Sequence, residues 1–475
     1  MTFSSLAFLF VFLPIIFILY TLCRIDFLRN ILLIAASLLF YAYGEPVAVF
    51  IMIISIVLNY LFGLLCAGIF FGSHYKDSKI ALFMKKAGLI FAVIMNVGLL
   101  FVFKYWDFFF GSIGLEDAKL NLALPIGISF FTFQGLSYVV DVYRDRECVQ
   151  KNLLSVMLYI SFFPQLIAGP IVKYHDIRGQ LSKREFSIDR ISIGIRRFIF
   201  GLGKKVLIAG PMGLMADSIY ALDVVGIGSA SAWIAGFSYM FQIYFDFSGY
   251  SDMAIGLGCI FGFDFKENFD KPYAASSMQI FWRKWHISLS TWFKEYVYIP
   301  LGGNRKGRIR TYINKFIVFL LTGIWHGANW TFMCWGIFHG IALIMEDLIK
   351  QLFKKSEAKI IGVFKRLLAV FGHLYTILFV MLTFVVFRAD SLGYAFGMIS
   401  RLFSSGGSNS VAFSNITSVY LIALVLAVVF SSTILDKLIA KTKTWIMGVI
   451  SIVVYLASVM MLVSGGYNPF IYFKF

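Results

Sequence analysis

The chain has 475 residues, of which 60% are hydrophobic, 18% aromatic and only 14% charged, and its mean hydropathy is +0.82. A soluble domain carries about 25% charged residues, so this composition excludes a soluble enzyme, a disordered chain and a disulfide-stapled secreted domain. The formal charge of +17 comes from basic stretches between apolar segments, which indicates cytoplasmic loops facing anionic lipids and not a nucleic-acid partner. The five cysteines are scattered and predict neither disulfides nor a metal site.

Long, continuous apolar segments predict a polytopic, all-α membrane protein, because a transmembrane helix needs about 20 apolar residues. We expect residues 1–475 to form a single membrane-embedded domain of about 10–12 spans with additional re-entrant and interfacial helices. The first span should be retained, because no basic residue precedes it and no small-residue cleavage site follows it. In chain order, the apolar windows are 5–22, 30–43, 47–71, 87–103, 121–140, 152–172, 198–220, 231–250, 312–349, 367–387, 414–434 and 444–464.

Basic residues orient the predicted spans, because cytoplasmic loops are enriched in Lys and Arg. The basic loops at 24–29 and 72–86 are predicted inside, and the segments at 44–46 and 404–415, which contain neither residue type, are predicted outside. This assignment predicts a multi-pass membrane protein with both the N-terminus and the C-terminal tail outside the cell.

Successive loops should alternate between the inside and the outside of the membrane, and this alternation fails twice. In both cases an apolar segment interrupted by glycine or proline lies between two basic stretches. Residues 152–172 precede the basic stretch 173–205, and we expect a re-entrant hairpin there, with an ordinary kinked helix as the alternative. Residues 312–349 are interrupted around His326, in the string Gly-Ile-Trp-His-Gly-Ala-Asn-Trp. A second hairpin, which dips into the bilayer and returns, would place His326 deep in the membrane.

Two of the six histidines are candidates for chemistry, because ionisable groups at membrane depth are expensive and usually functional. His326 lies beside a glycine that lets other groups approach closely. His339 follows 13 residues later, so that only a bent break could bring the two together. A histidine that merely packs is the alternative for His339. No Cys, Glu or His stands at metal-ligand spacing from either residue, so we predict no metal.

Two further clusters could line a site on the inside face. Residues 241–252 are predicted to end a span there, as the wall of a cytoplasmic vestibule or as a solvated helix end. Residues 281–292 alternate tryptophans with basic residues, which is typical of a helix in the head-group layer that contacts lipid or holds an anionic substrate. The following segment, 298–305, has a glycine pair beside a basic residue that could seat phosphates, although it is not a P-loop.

These strings closely resemble motifs of the membrane-bound O-acyltransferase family, in particular its alginate and peptidoglycan O-acetylation branch. The resemblance covers most of the chain, with the core motifs between residues 121 and 350. The matching segments are 124–133, 138–144, 163–170, 246–252, 281–286, 298–305, 325–330, 387–389 and 467–470.

The resemblance implies a funnel-shaped helical fold with re-entrant helices and a tunnel through the membrane. His326 matches the family's invariant histidine in that tunnel, where a neutral imidazole can act as a general base; His286 is the second catalytic candidate. The donor is expected to be a cytoplasmic acyl thioester, acetyl-CoA in the alginate-like branch or an acyl carrier protein in the D-alanine branch, with no bound cofactor. The predicted donor-binding residues are Asp246, Ser248, Tyr250, Asp252, Trp282, Arg283, Lys284, Ser288, Asn304, Arg305, Trp325, Asn329 and His339.

The family also implies partners outside the cell, namely an extracytoplasmic SGNH-type acetyltransferase and a polysaccharide acceptor. The tail around Tyr472 resembles the C-terminal motif of the small membrane peptide in D-alanine transfer. Our hypothesis is that Tyr472 carries the acyl group, with an aromatic anchor at the membrane interface as the alternative. A transporter or flippase and a scaffold of a polysaccharide assembly complex remain alternative functions, although no inverted repeat is visible.

Overall fold

The structure is a computed structural model that describes residues 1–69, 78–353, 362–433 and 442–465, without the side chains of residues 353 and 362–368. Helices dominate these residues and no strand occurs among them, which confirms the all-α prediction. The only bridge in the described ranges pairs Ile227 with Ser408.

The chain divides into two compact units. Unit 1 comprises Met1–Phe198 and Tyr250–Lys266, and unit 2 comprises Ile199–Gly249 and Glu267–Phe475. The single domain expected over residues 1–475 stays a prediction. The helices of unit 1 are α1 (Leu13–Leu22), α2 (Asp26–Ala42), α3 (Ala48–Ala67), α4 (Lys79–Leu100), α5 (Trp106–Ser112), α6 (Ile128–Arg144), α7 (Leu153–Ser161), α8 (Phe163–Leu166), α9 (Tyr174–Ile177) and most of α10 (Ile188–Gly203).

Unit 2 holds the remaining helices and, as shown below, every histidine of the candidate site. They are α11 (Gly210–Tyr220), most of α12 (Ser229–Ile260), α13 (Met278–Lys284), α14 (Ile287–Phe293), α15 (Arg308–His326), α16 (Trp330–Phe353), α17 (Gly362–Arg388), α18 (Leu392–Arg401), α19 (Ser410–Ser414), α20 (Ser418–Ser431) and α21 (Thr444–Val463).

Six helical segments in the described ranges are long and apolar enough to cross a membrane, and two shorter apolar segments accompany them. This finding agrees with a polytopic protein, whereas the count of 10–12 spans stays a prediction. The six are Ala48–Ala67, Lys79–Ser112, Ile188–Tyr220, Trp330–Leu352, Ala369–Arg388 and Thr444–Val463, and the shorter two are Phe8–Leu22 and Ser418–Ser431.

Two predicted helix boundaries are wrong, in both cases because charged side chains lie inside a helix. The segment Ile188–Tyr220 begins ten residues before the predicted window 198–220, so that Arg190, Arg196 and Arg197 of the expected basic stretch lie inside a helix. Helix α12 continues through Asp246 to Ile260, so the polar cluster does not end a span. The carboxylate of Asp246 pairs with Lys205, and this mutual neutralisation allows both charges in mid-helix.

The interruption predicted in residues 152–172 is confirmed. Helix α7 ends at Ser161, α8 covers only one turn, and the next helix starts at Tyr174. The nine residues of α7 extend about 14 Å, half of the hydrocarbon thickness of a bilayer. One continuous kinked helix is therefore excluded, and the re-entrant path stays a prediction.

The break and the close helix pair predicted in residues 312–349 are also confirmed, whereas the re-entrant path and the depth of His326 in the membrane stay predictions. Helix α15 ends at His326 and α16 begins at Trp330, and the two helices pack closely along their length. A Cβ at Gly323 would lie 2.4 Å from the carbonyl oxygen of Phe332, and one at Gly336 would lie equally close to that of Phe319. Only glycine fits at these two positions, so the backbones of the hairpin approach closely.

Candidate active site

His326 is the last residue of α15 and lies buried at the tip of the hairpin, 7% exposed. Gly327 follows in an extended conformation, and its missing side chain leaves room for a phenylalanine ring. The ring centroids of Trp325, Trp335 and Phe387 lie 5.0, 5.1 and 5.1 Å from that of the imidazole. The break thus places the candidate base among aromatic rings.

His339 is fully buried in α16 and shares a neighbour with His326. The ring of Trp335 lies 4.6 Å from that of His339 and 5.1 Å from that of His326, so the hairpin does bring both histidines onto one indole. The Nε1–H of Trp282 donates a hydrogen bond to Nδ1 of His339 at 3.1 Å. An indole nitrogen only donates, so the neutral imidazole of His339 carries its proton on Nε2. A donor-binding role for His339 stays a prediction.

His286 connects α13 to α14 with φ at +43°, a left-handed conformation that is unfavourable for a non-glycine residue. The Oδ1 atom of Asn268 accepts hydrogen bonds from the backbone N–H and the hydroxyl of Ser288, and it lies 3.2 Å from Nδ1 of His286. Because Oδ1 is an acceptor, Nδ1 donates and the lone pair of the neutral ring is on Nε2. Burial lowers the pKa of His286 to about 3, so the ring is neutral near pH 7.

The two catalytic candidates line the same small cavity, which we name the His326 cavity. It has about 10 Å³ of room for the centre of a water molecule, roughly enough for one water. The lining residues are His286, His326, Ile243, Phe247, Trp285, Trp335, Phe384 and Phe387. Trp325 lies beside both histidines, 6.0 Å from His286 and 5.0 Å from His326 between ring centroids.

A larger space, which we name the α13–α16 pocket, lies between helices α13, α14, α15 and α16 and has a volume of about 420 Å³. The mainly apolar part of its lining consists of Trp282, Leu289, Phe293, Val318, Phe319, Thr322 and Leu343. The polar part consists of Gln279, Arg283, Ser290, Lys294, Tyr298, Lys315 and Asp347. The sequence-predicted residues Trp282 and Arg283 both belong to it.

Two of the predicted donor-binding residues make structural contacts, and their donor-binding role stays a prediction. The ammonium group of Lys284 lies 3.0 Å from the carboxylate of Asp270. The side-chain oxygen of Asn329 accepts from the backbone N–H of Thr331 at 3.1 Å, and its amide group donates to the carbonyl of Asp390 at 3.0 Å. Asn329 thus holds the start of α16, which is the usual role of asparagine at a helix N-terminus.

The glycine loop does not offer its glycine amides to a phosphate. The N–H groups of Gly302 and Gly303 donate to the carbonyls of Ile299 and Tyr298, at 3.0 and 2.9 Å, within the turn itself. The side chains of Asn304 and Arg305 are exposed and lie outside the lining of the α13–α16 pocket. The glycine amides are therefore engaged within the turn, and a phosphate-binding role for Asn304 and Arg305 stays a prediction.

The polar cluster of α12 is divided between the two units of the chain. Asp246 and Ser248 are buried in unit 2, where Asp246 pairs with Lys205. Tyr250 and Asp252 belong to unit 1. There, the ring of Tyr250 stacks on that of Phe3 with centroids 4.5 Å apart, and Asp252 pairs with Arg197 at 2.9 Å. The cluster contributes packing and ion pairs, and its binding role stays a prediction.

Sequence reasoning missed several residues that shape the site. Asn268 belongs to no recognisable motif, because its role depends on contacts with His286 and Ser288, about 20 residues later in the chain. Lys205 could have been found as a charge inside the apolar window 198–220. Trp335 lies four residues before His339 and could have been placed on the same helical face. The predicted acyl carrier Tyr472 lies outside the described residues.

The sequence matches the model of the membrane-bound O-acyltransferase (MBOAT) family over residues 128–386. It is 41% identical to a protein named probable alginate O-acetylase AlgI from Pseudomonas syringae pv. tomato, over 86% of this chain and 76% of the relative. It is 36% identical to the peptidoglycan O-acetyltransferase of Helicobacter pylori, over 85% and 80%. It is 28% identical to the teichoic acid D-alanyltransferase of Bacillus subtilis, over 57% and 71%.

Proposed function

The chain belongs to the membrane-bound O-acyltransferase family, and on that premise we propose that it passes an acetyl group from a cytoplasmic thioester across the membrane to hydroxyl groups of a cell-envelope or extracellular polysaccharide. Two of the relatives are named for O-acetylation of alginate and peptidoglycan, and a third for D-alanylation of teichoic acid. Acyl transfer to an envelope or extracellular polymer is what these names share.

The observation that carries this proposal is the burial of His326 and His286 in one cavity at the tip of the hairpin. In the proposed reaction His326 takes the proton of a hydroxyl group, on the acceptor or on an intermediate carrier. The hydroxyl oxygen attacks the thioester carbonyl, the carbon–sulfur bond breaks, and the imidazolium returns the proton to the leaving thiolate. His286 is the second catalytic candidate, with a neutral ring that has its lone pair on Nε2.

We propose acetyl-CoA as the donor and the α13–α16 pocket as the place that receives it. Arg283 and Lys294 are exposed at the polar side of this pocket and would attract the phosphates. Lys315 pairs with Asp347, so its charge is partly balanced. The apolar side, with Trp282, suits the pantetheine arm. An acyl carrier protein presents the same arm, and the experiment below includes it.

The remaining parts of the proposal concern topology and partners. The positive-inside pattern of the loops supports extracytoplasmic termini, in the inner membrane of a bacterium. An extracytoplasmic SGNH-type acetyltransferase would accept the acetyl group and complete its transfer to the polymer. In that arrangement the basic α13–α16 pocket opens to the cytoplasm.

The decisive experiment is thioester turnover by the purified protein supplied with acetyl-CoA carrying a radiolabelled acetyl group. We expect label to leave CoA, and His326→Ala to lower the rate by about 10²–10⁴, the usual contribution of a general base. His175→Gln is the matched control, because His175 lies in unit 1 and pairs with Asp141. If the folded wild-type protein uses neither acetyl-CoA nor an acyl carrier protein, with or without a partner, the transporter alternative replaces this proposal.

A further inference from the structure

Two internal spaces of unit 2 come within one helical turn of each other along α15. Thr322 lines the α13–α16 pocket, and His326 lines the His326 cavity. Four residues advance a helix by about 6 Å, and both residues lie on the same face. The space that can hold a thioester arm and the space that holds the candidate base are therefore separated by a thin partition.

Two indole rings form this partition. Trp282 lines the α13–α16 pocket, and its ring centroid lies 5.7 Å from that of Trp335. Trp335 lines the His326 cavity, with its ring 5.1 Å from that of His326. The ring of Phe319 packs against Trp282 at 4.8 Å. A thioester that enters the pocket must move these rings before it can reach His326.

Of the two rings, Trp282 is the one that can move. Trp335 stands on α16, which is held against α15 by the close glycine contacts at Gly323 and Gly336. Trp282 stands on the seven-residue helix α13, and its indole N–H is held by one hydrogen bond, to Nδ1 of His339. A change of the Trp282 side-chain rotamer would break this bond and open the partition without separating the hairpin.

We propose that Trp282 is a gate between the α13–α16 pocket and the His326 cavity, and that its hydrogen bond to His339 is the latch. With the latch closed, the cavity has room for about one water molecule and is shielded from the pocket, which limits hydrolysis of the thioester. The arm of the donor displaces the indole when it binds. The inference rests on the proposed function only for the identity of this displacing molecule.

The test measures how fast diethyl pyrocarbonate, which modifies the unprotonated nitrogen of accessible imidazoles, labels His326 in detergent, with peptide mass spectrometry to resolve the site. We expect slow labelling in the wild type. Trp282→Phe keeps a ring but removes the latch, and should accelerate labelling about fivefold, the effect of one hydrogen bond. Trp282→Ala also removes the ring and should accelerate it by about tenfold or more.

The matched control is Trp292→Ala, which removes an equally buried tryptophan of α14 that packs on Phe293 and Tyr296. In this variant, diethyl pyrocarbonate should label His326 at the wild-type rate. The gate is refuted if both Trp282 variants, shown to be folded by thermal unfolding, match the wild-type rate, or if the control accelerates labelling equally. The assay uses no acyl donor, so its result tests the gate even if acyl transfer from CoA is not observed.

Discussion

The indole N–H of Trp282 donates a hydrogen bond to Nδ1 of His339 across 3.1 Å, joining the short helix α13 to the second arm of the hairpin. This bond fixes the tautomer of a fully buried histidine. It also connects a residue of the α13–α16 pocket to the ring cluster around His326, because His339 and His326 both pack on Trp335.

The energy of this bond can be measured by a double-mutant cycle. We expect His339→Leu to destabilise the protein by about 1–3 kcal/mol, because it leaves the N–H of Trp282 buried without its acceptor. Trp282→Phe removes the donor and also some packing. The coupling energy of the two changes should be about 1 kcal/mol in chemical unfolding from detergent. Strict additivity would mean that the bond contributes nothing.

The hairpin and its histidine could be predicted because helix breakers leave a local signal. Glycine beside His326, between two apolar helices, was enough to place the break within a few residues of its observed position. The end of α12 was predicted wrongly, because the partner that neutralises Asp246 is Lys205, 41 residues earlier in the chain. The bonds of Asn268 to Ser288 are likewise tertiary, and no spacing rule reveals them.

Charge at the mouth of the α13–α16 pocket should control donor binding. Arg283→Gln and Lys294→Gln should each raise KM for acetyl-CoA about threefold to tenfold with little change in kcat, because each removes one partner of a phosphate. The effect should shrink at high salt. Lys119→Gln is the control, since it removes the same charge from unit 1, where Lys119 pairs with Glu116. An unchanged KM in both pocket variants would show that acetyl-CoA binds outside the α13–α16 pocket.

The buried His286 should make stability depend on pH. Its pKa is about 3 in the folded protein and about 6.5 when the chain is unfolded, so the unfolded state binds an extra proton between these values. The contribution of His286 to the free energy of unfolding is therefore fully present above about pH 6.5. It is lost as the pH drops towards 3, by at most about 1.4 kcal/mol per pH unit. The free energy of unfolding is measured against pH across this range for the wild type and for His286→Gln. Equal slopes of these two curves would contradict a contribution from His286.

The ion pair between Lys205 and Asp246 should be costly to break from one side only. Both side chains are buried in unit 2, so Lys205→Met removes the ion-pair partner of a buried carboxylate and should cost about 3–5 kcal/mol. Replacing both partners, as in Lys205→Met with Asp246→Leu, should recover most of this loss. The comparison is made by thermal unfolding of the two variants in the same detergent. A single variant as stable as the wild type would show that the pair is dispensable.

The acyl-carrier hypothesis for Tyr472 leads to a prediction about one oxygen atom. Tyr472→Phe keeps an aromatic ring at the membrane interface but removes the hydroxyl nucleophile. We expect this variant to bind acetyl-CoA normally but to lose transfer to an external acceptor, while the wild type accumulates label on the tail peptide. Mass spectrometry of the tail after a single turnover detects that label. If Tyr472→Phe transfers acetyl groups at the full rate, the tyrosine is only an anchor, and the acceptor hydroxyl must reach His326 directly.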